Sequence, residues 1–275
     1  CMEGKYSQEV TAVSEATCNE CAAGSYTDAP GAKSCTSCPV NSLSVAGARA
    51  LSDCVCREGF FGSDGEDCTG CPAGSYKDVN GSASCQLCSV GTYSQEVAAY
   101  SNAACISCPA HSWSASGSSA GSACLCNVGF AGPDGGACSP CAAGSFKDLN
   151  GSTPCAPCSA GKYSAETSST TCVTCPVNTD SSPGSSLVTE CNCNRGYTGA
   201  GGEDDCTACP AGSYKDVNGL APCQPCSVGT YNQEVAADSI AACTSCPAHS
   251  SSPAGSTVRQ DCLCNVGFAG PDGGA

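Results

Sequence analysis

Apolar positions in this chain come singly and in fixed slots. The recurring unit is Cys-x-x-Gly-x-aromatic, after which the chain turns polar until the next cysteine. Tyr26, Tyr76, Phe146 and Tyr214 occupy one slot, and Tyr6, Tyr93, Tyr163 and Tyr231 the matching slot of another loop. Apolar segments this short, set between turn residues, predict coil with two-stranded β-ribbons of a few residues and no long helix. No run of about 18 apolar residues occurs, so nothing in these residues is predicted to span a membrane. The stretch 73–81, Ala-Gly-Ser-Tyr-Lys-Asp-Val-Asn-Gly, predicts a small hairpin turning at Asn80-Gly81, because both positions tolerate φ > 0. An aromatic ring over a disulfide is expected to supply most of each loop's apolar burial. An aromatic ladder that stacks a ligand is the alternative use.

Repetition sets the organisation. A block of Cys-x-Cys, a Gly-aromatic loop and three Cys-x-x-Cys pairs starts at Cys54, Cys124, Cys191 and Cys262, at spacings of 70, 67 and 71. Residues 71–81 recur unchanged at 209–219 and residues 127–137 at 265–275, both at an offset of 138. The reading is therefore 1–53 as the C-terminal part of a preceding block, 54–123 as block A, 124–190 as block B, 191–261 as block A′ and 262–275 as a truncated start of block B′. Residues 1–21 match 88–108, in a slightly different register from the later blocks. Contacts confined to neighbouring repeats predict an elongated tandem-repeat rod without a large hydrophobic core. The chain opens on Cys1 and stops at Gly-Gly-Ala, and is read as a piece of something longer.

Composition changes the picture in one respect: covalent staples must replace burial. Leu, Ile, Val and Phe number 32 of 275, against 31 cysteines. That apolar share, about 12 %, lies under the roughly 20 % below which chains tend to disorder. The hydrophobic figure of 41 % is carried by Ala and Cys. Thiols at this density stay oxidised outside the cytosol, which predicts a secreted or cell-surface setting. The net charge of −15, with ten basic residues spread along the chain, argues against a nucleic-acid partner.

The gaps between cysteine clusters are narrow, and the simplest pairing closes one short loop after another. It joins Cys1–Cys18, Cys21–Cys35, Cys38–Cys54, Cys56–Cys68, Cys71–Cys85, Cys88–Cys105, Cys108–Cys124 and Cys126–Cys138. It continues with Cys141–Cys155, Cys158–Cys172, Cys175–Cys191, Cys193–Cys206, Cys209–Cys223, Cys226–Cys243 and Cys246–Cys262, leaving Cys264 over. Interleaved pairing within adjacent clusters is the open alternative, since spacing does not fix connectivity. The same spacing suits zinc, but zinc ligands come as isolated sets of four, and histidine is nearly absent. No metal or cofactor is expected.

The residues between the cysteines resemble a known family. Cys-x-Cys-x-x-Gly-aromatic, as at Cys124, Cys126, Gly129, Phe130 and Cys138, resembles the C-terminal half of an EGF-like module. CPAGSYKDVNGSASCQLC and CPAHSWSASGSSAGSACLC are similar to the cysteine-rich segment of ephrin receptors, and the short loops to tumour-necrosis-factor-receptor repeats. Repeats of this type also look similar to those of flagellar-hair (mastigoneme) and other extracellular filament proteins. The resemblance implies a non-enzymatic extracellular role, as a filament or cell-surface fibre component or as a ligand-binding or adhesive receptor stalk. Expected partners are further copies of the chain, neighbouring extracellular proteins and glycans.

Individual residues add little chemistry. His111 and His249 share a slot with Asn41 and Asn178, which suggests a side chain bonding its own loop rather than a general base. No Ser-His-Asp set, carboxylate dyad or His-Glu-x-x-His motif occurs. Trp113, the one Trp, sits in a Ser-rich loop and is expected to be exposed. Asn80 and Asn150 stand in Asn-Gly-Ser, an N-glycosylation sequon, whereas Asn218-Gly-Leu keeps the turn and loses the sequon.

Overall fold

The loop motif folds by one rule in the computed structural model, which describes residues 1–9, 14–202 and 206–273. Numbering each loop from its opening cysteine, positions five and six form one strand of an antiparallel ribbon. The partner strand is the pair of residues inside the next Cys-x-x-Cys, or the last two residues of Cys-x-Cys. Lys5–Tyr6 thus pairs with Asn19–Glu20, and Ser42–Leu43 with Val55–Cys56. A strand of two residues needs no alternation of its own, which is why no periodic signal marks it in the sequence. Among the described residues the only helical turns are 3-10, such as Asn102–Ala104 and Val188–Glu190, each set just before a cysteine.

The chain divides into two units: residues 1–127 with 132–139 and 150–152, and residues 128–131 with 140–149 and 153–275. In the first unit seven ribbons follow one another from Lys5–Tyr6/Asn19–Glu20 to Ser112–Trp113/Leu125–Cys126 among the described residues. In the second, seven run from Ser145–Phe146/Ala156–Pro157 to Ser250–Ser251/Leu263–Cys264. Both units use the same internal ladder. The fourth-position N–H of one loop donates to the seventh-position carbonyl of the next, as Gly74 to Ser94 at 2.8 Å and Gly212 to Asn232 at 2.8 Å. The opening cysteine of that next loop returns a bond to the fourth-position carbonyl, as Cys88 to Gly74 and Cys226 to Gly212.

What is buried is the sulfur, not the rings. Cys21, Cys54, Cys56, Cys71, Cys88 and Cys124 are fully enclosed. Of the aromatic residues expected to provide the burial, Tyr6, Tyr26, Tyr76, Tyr93, Phe146, Tyr163 and Tyr231 are half-buried, and Tyr214 alone is buried. Two-residue strands offer no face broad enough to cover a ring. The hairpin placed at Asn80-Gly81 is also wider than expected: Ser75–Tyr76 pairs with Gln86–Leu87, so the turn is the whole stretch 77–85. Trp113 is likewise a half-buried strand residue opposite Leu125, not an exposed loop residue. The end of block B′, at 274–275, lies outside the described residues.

Candidate functional site

Disulfides join Cys1–Cys18, Cys21–Cys35, Cys38–Cys54, Cys56–Cys68, Cys71–Cys85, Cys88–Cys105, Cys108–Cys124 and Cys126–Cys138 in the first unit. The second unit holds Cys141–Cys155, Cys158–Cys172, Cys175–Cys191, Cys193–Cys206, Cys209–Cys223, Cys226–Cys243 and Cys246–Cys262. Cys264 is a free, half-buried thiol. Each bridge closes a loop of 12 to 17 residues, as in Cys56–Cys68 and Cys1–Cys18. Closure of about 15 residues is worth roughly 3 kcal/mol against the unfolded chain in the entropy model.

The polar interior lies at position seven, a pattern that sequence reasoning missed. Ser44, Ser114, Ser181 and Ser252 are buried there, and each hydroxyl donates to the fifth-position carbonyl of the preceding loop, for example Ser114 to Thr92 at 2.9 Å. Asn232 donates to Ser213 in the same way at 3.0 Å. Where the preceding loop opens at the second cysteine of Cys-x-Cys, the residue is lysine. Lys77, Lys147 and Lys215 are 0 %, 3 % and 1 % exposed. Their ammonium groups donate to the carbonyls of Phe60 at 2.7 Å, Phe130 at 2.7 Å and Tyr197 at 2.6 Å. Lys77 also reaches the Gly81 carbonyl and Lys215 that of Gly219. Burial lowers the affinity of Lys77 and Lys215 for the proton below the ordinary lysine value, and Asp64 partly restores it at Lys77.

These lysines pin the Asn-Gly turns to the loop before. The Oδ1 of Asn80 accepts from the Glu58 N–H at 3.1 Å, and the Gly81 N–H donates to the Cys56 carbonyl at 2.7 Å. Asn218 and Gly219 repeat this with Arg195 and Cys193 at 3.1 and 2.8 Å. Asn80, Asn150 and Asn218 are exposed.

The slot shared by histidine and asparagine is the fourth position, where other loops hold Gly. Asn41, His111, Asn178 and His249 have φ of 62°, 61°, 60° and 64°. Left-handed backbone, tolerated by Asn and His better than by most residues, therefore sets the choice. The expected bond within the loop gives way at Asn41 to one reaching the next loop, from Nδ2 to the Cys68 carbonyl at 3.1 Å. His249 stacks on Phe268 with centroids 4.1 Å apart. Arg57 lies 4.9 Å over the Phe60 ring and donates to Asn41 Oδ1 at 3.0 Å.

Among the described residues no group of three or more His, Cys, Asp or Glu could hold a metal ion, and no helix is long and apolar enough to cross a membrane. The geometry defines a class: tandem, disulfide-closed loops whose interior is sulfur and backbone-bonded polar groups. The family model described as "Tyrosine-protein kinase ephrin type A/B receptor-like" matches residues 3–54, 59–105 and 196–243, a little over half the chain. The chain belongs to this ephrin-receptor-like cysteine-rich family. It is 38 % identical over 80 residues to "Sushi, von Willebrand factor type A, EGF and pentraxin domain-containing protein 1" of Mus musculus, covering 29 % of this chain and 2 % of that protein. It is 45 % identical over 50 residues to "Ephrin type-B receptor 6" of Homo sapiens, covering 18 % of this chain and 5 % of that protein. The chain thus spans a small fraction of these relatives, and the shared part is cysteine-rich repeat of extracellular type.

Proposed function

We propose that the chain is a spacer and assembly module of an extracellular filament or cell-surface fibre, of the flagellar-hair type. The observation carrying this reading is recurrence of surface. Residues 71–81 return unchanged at 209–219, and the aliphatic residues Val40, Val90, Val177 and Val228 stand exposed at the third position of their loops. Single exposed valines are ordinary, but Val40 and Val90 return as Val177 and Val228 after 137 and 138 residues, so each block pair offers the same apolar points to a further copy or a neighbouring extracellular protein. Covalent closure of every described loop but the last suits a load-bearing element outside the cytosol. Negative-stain microscopy of the native material tests this: fibres with an axial repeat matching one block pair support it, and isolated unassociated particles refute it.

The likeness to ephrin type-B receptor 6 favours a second reading, a stalk within a receptor or adhesive ectodomain. Isolated stalks ending in a separate domain in the same micrographs would establish that reading instead.

A further inference from the structure

Three side chains occupy one turn of the fold, Asn80, Asn150 and Asn218, and they differ in the two residues after them: Gly-Ser, Gly-Ser and Gly-Leu. The turn itself does not depend on the second of these. Asn80 and Asn218 each present Oδ1 to a backbone N–H of the preceding loop at 3.1 Å, although only Asn80 stands in a sequon. With Oδ1 turned inward, the other amide atom, Nδ2, faces away from the clamp on an exposed residue, and the Asn80 side chain makes no other hydrogen bond among the described residues. Ser82, which completes the sequon, is also exposed. Beside Asn80 runs an open groove lined by Leu43, Arg57, Phe60 and Tyr100. Its Phe60 and Tyr100 rings are of the kind that packs against the hydrophobic face of a sugar ring, and Arg57 and Glu58 in the same lining are of the kind that bonds sugar hydroxyls.

We propose that Asn80 is an N-glycan acceptor whose two amide atoms split their roles, Oδ1 holding the loop clamp and Nδ2 carrying an N-acetylhexosamine-based glycan seated along the Phe60–Tyr100 groove. Asn150, exposed in the same Asn-Gly-Ser sequence, is the second acceptor. The sugar donor is of the lipid-pyrophosphate-linked oligosaccharide class. The C1–O bond to pyrophosphate breaks, the C1–Nδ2 bond forms, the lipid pyrophosphate leaves with the electron pair, and the amide nitrogen gives up one of its two protons. The carbonyl oxygen is untouched, so the bond from the Glu58 N–H survives modification. Glycans on two of the three turns would decorate blocks A and B and leave A′ bare.

The test is the full chain secreted from a eukaryotic host, treated with a glycan-releasing amidase that converts each modified Asn to Asp, and mapped by peptide mass spectrometry. Asp is expected at 80 and 150 and unchanged Asn at 218. Ser82→Ala, which leaves the Asn80 side chain in place, should abolish conversion at 80 alone. Leu220→Ser, which completes a sequon on a turn of the same geometry, should create conversion at 218. Asn80→Asp, which keeps an acceptor oxygen but takes no glycan, should keep the Glu58 amide protected from hydrogen exchange, whereas Asn80→Ala should lose that protection. Unmodified Asn80 in the secreted chain overturns the proposal. An unmodified Asn218 in Leu220→Ser, or equal protection in Asn80→Asp and Asn80→Ala, overturns the split of roles.

Discussion

Replacement of Gly74 by alanine separates two costs that usually arrive together. Gly74 and Gly91 occupy the same fourth position of consecutive loops, with φ of 83° and 79°. A Cβ at Gly91 would meet nothing within 4 Å, whereas one at Gly74 would lie 2.2 Å from the Gly117 carbonyl oxygen, 2.7 Å from its carbon and 3.0 Å from the Ser118 oxygen. Gly91→Ala therefore carries only the left-handed backbone cost, about 1–2 kcal/mol. Gly74→Ala carries that cost plus the displacement of a backbone segment two loops away by the better part of an ångström. Overpacking of this kind adds about 1–3 kcal/mol. The displaced Gly117 also donates to Cys88 at 2.9 Å, and loss of that bond adds about 1 kcal/mol. The two variants should differ by about 3 kcal/mol, roughly a hundredfold in local opening. Because the disulfides hold the chain even when it opens, the assay is native-state hydrogen exchange at the Gly117 and Cys88 amides. Protection should fall about a hundredfold further in Gly74→Ala than in Gly91→Ala. Equal loss in both would refute the claim that next-but-one loops are in contact.

The polar interior and the staples carry the other expected outcomes. Lys215→Met leaves the Tyr197 and Gly219 carbonyls without a donor; with relief of ammonium burial as the offset, the net loss should be about 2 kcal/mol, read as faster exchange at Gly219. The folded chain disfavours protonation of Lys77 and Lys215, so their contribution to stability is flat at neutral pH and rises with pH through the window just below 10.5; NMR titration of their side-chain carbons should show midpoints under that value. The Asp53 carboxylate is held below its usual 3.8 by the Arg49 and Ala50 N–H groups, and Glu190 below 4.5 by those of Leu187 and Ser186. Their contribution is complete above those values and lost as pH falls through the lowered ones, so carboxyl titration should place both below their unfolded counterparts. Mass-spectrometric mapping should recover Cys1–Cys18 and Cys21–Cys35 as separate loops, and a Cys1–Cys21 bridge would overturn the arrangement.

The fold class and the repeat are legible because cysteine spacing and inter-cysteine residues are both local signals. The interior is not, because it is made by side chains acting between loops. Lysine at 77, 147 and 215 reads as an ordinary solvated charge; the hint otherwise is that each of the three follows a loop opened by Cys-x-Cys, whereas the other loops not themselves opened by Cys-x-Cys hold Ser, Thr or Asn at the same position. The left-handed slot is legible in principle: Asn41 and His111 stand where Gly4, Gly24 and Gly74 do. Aromatic burial is overstated when judged from the size of a ring alone, without regard to how narrow a two-residue strand is.

The strand inside each Cys-x-x-Cys has one more consequence. It ties the closing bridge of one loop to the opening bridge of the next, so every joint of the Cys-x-x-Cys kind has the same form. Loops are then interchangeable links, and the first 53 residues show a rearranged order: the Cys1 loop, like that of Cys88, precedes the Cys21 loop, like that of Cys71. One condition on exchange is the side chain at position seven, which must suit the loop now before it. Thr27, set after the Cys1 loop, bonds within its own loop instead, its hydroxyl accepting from the Ala29 N–H at 3.4 Å.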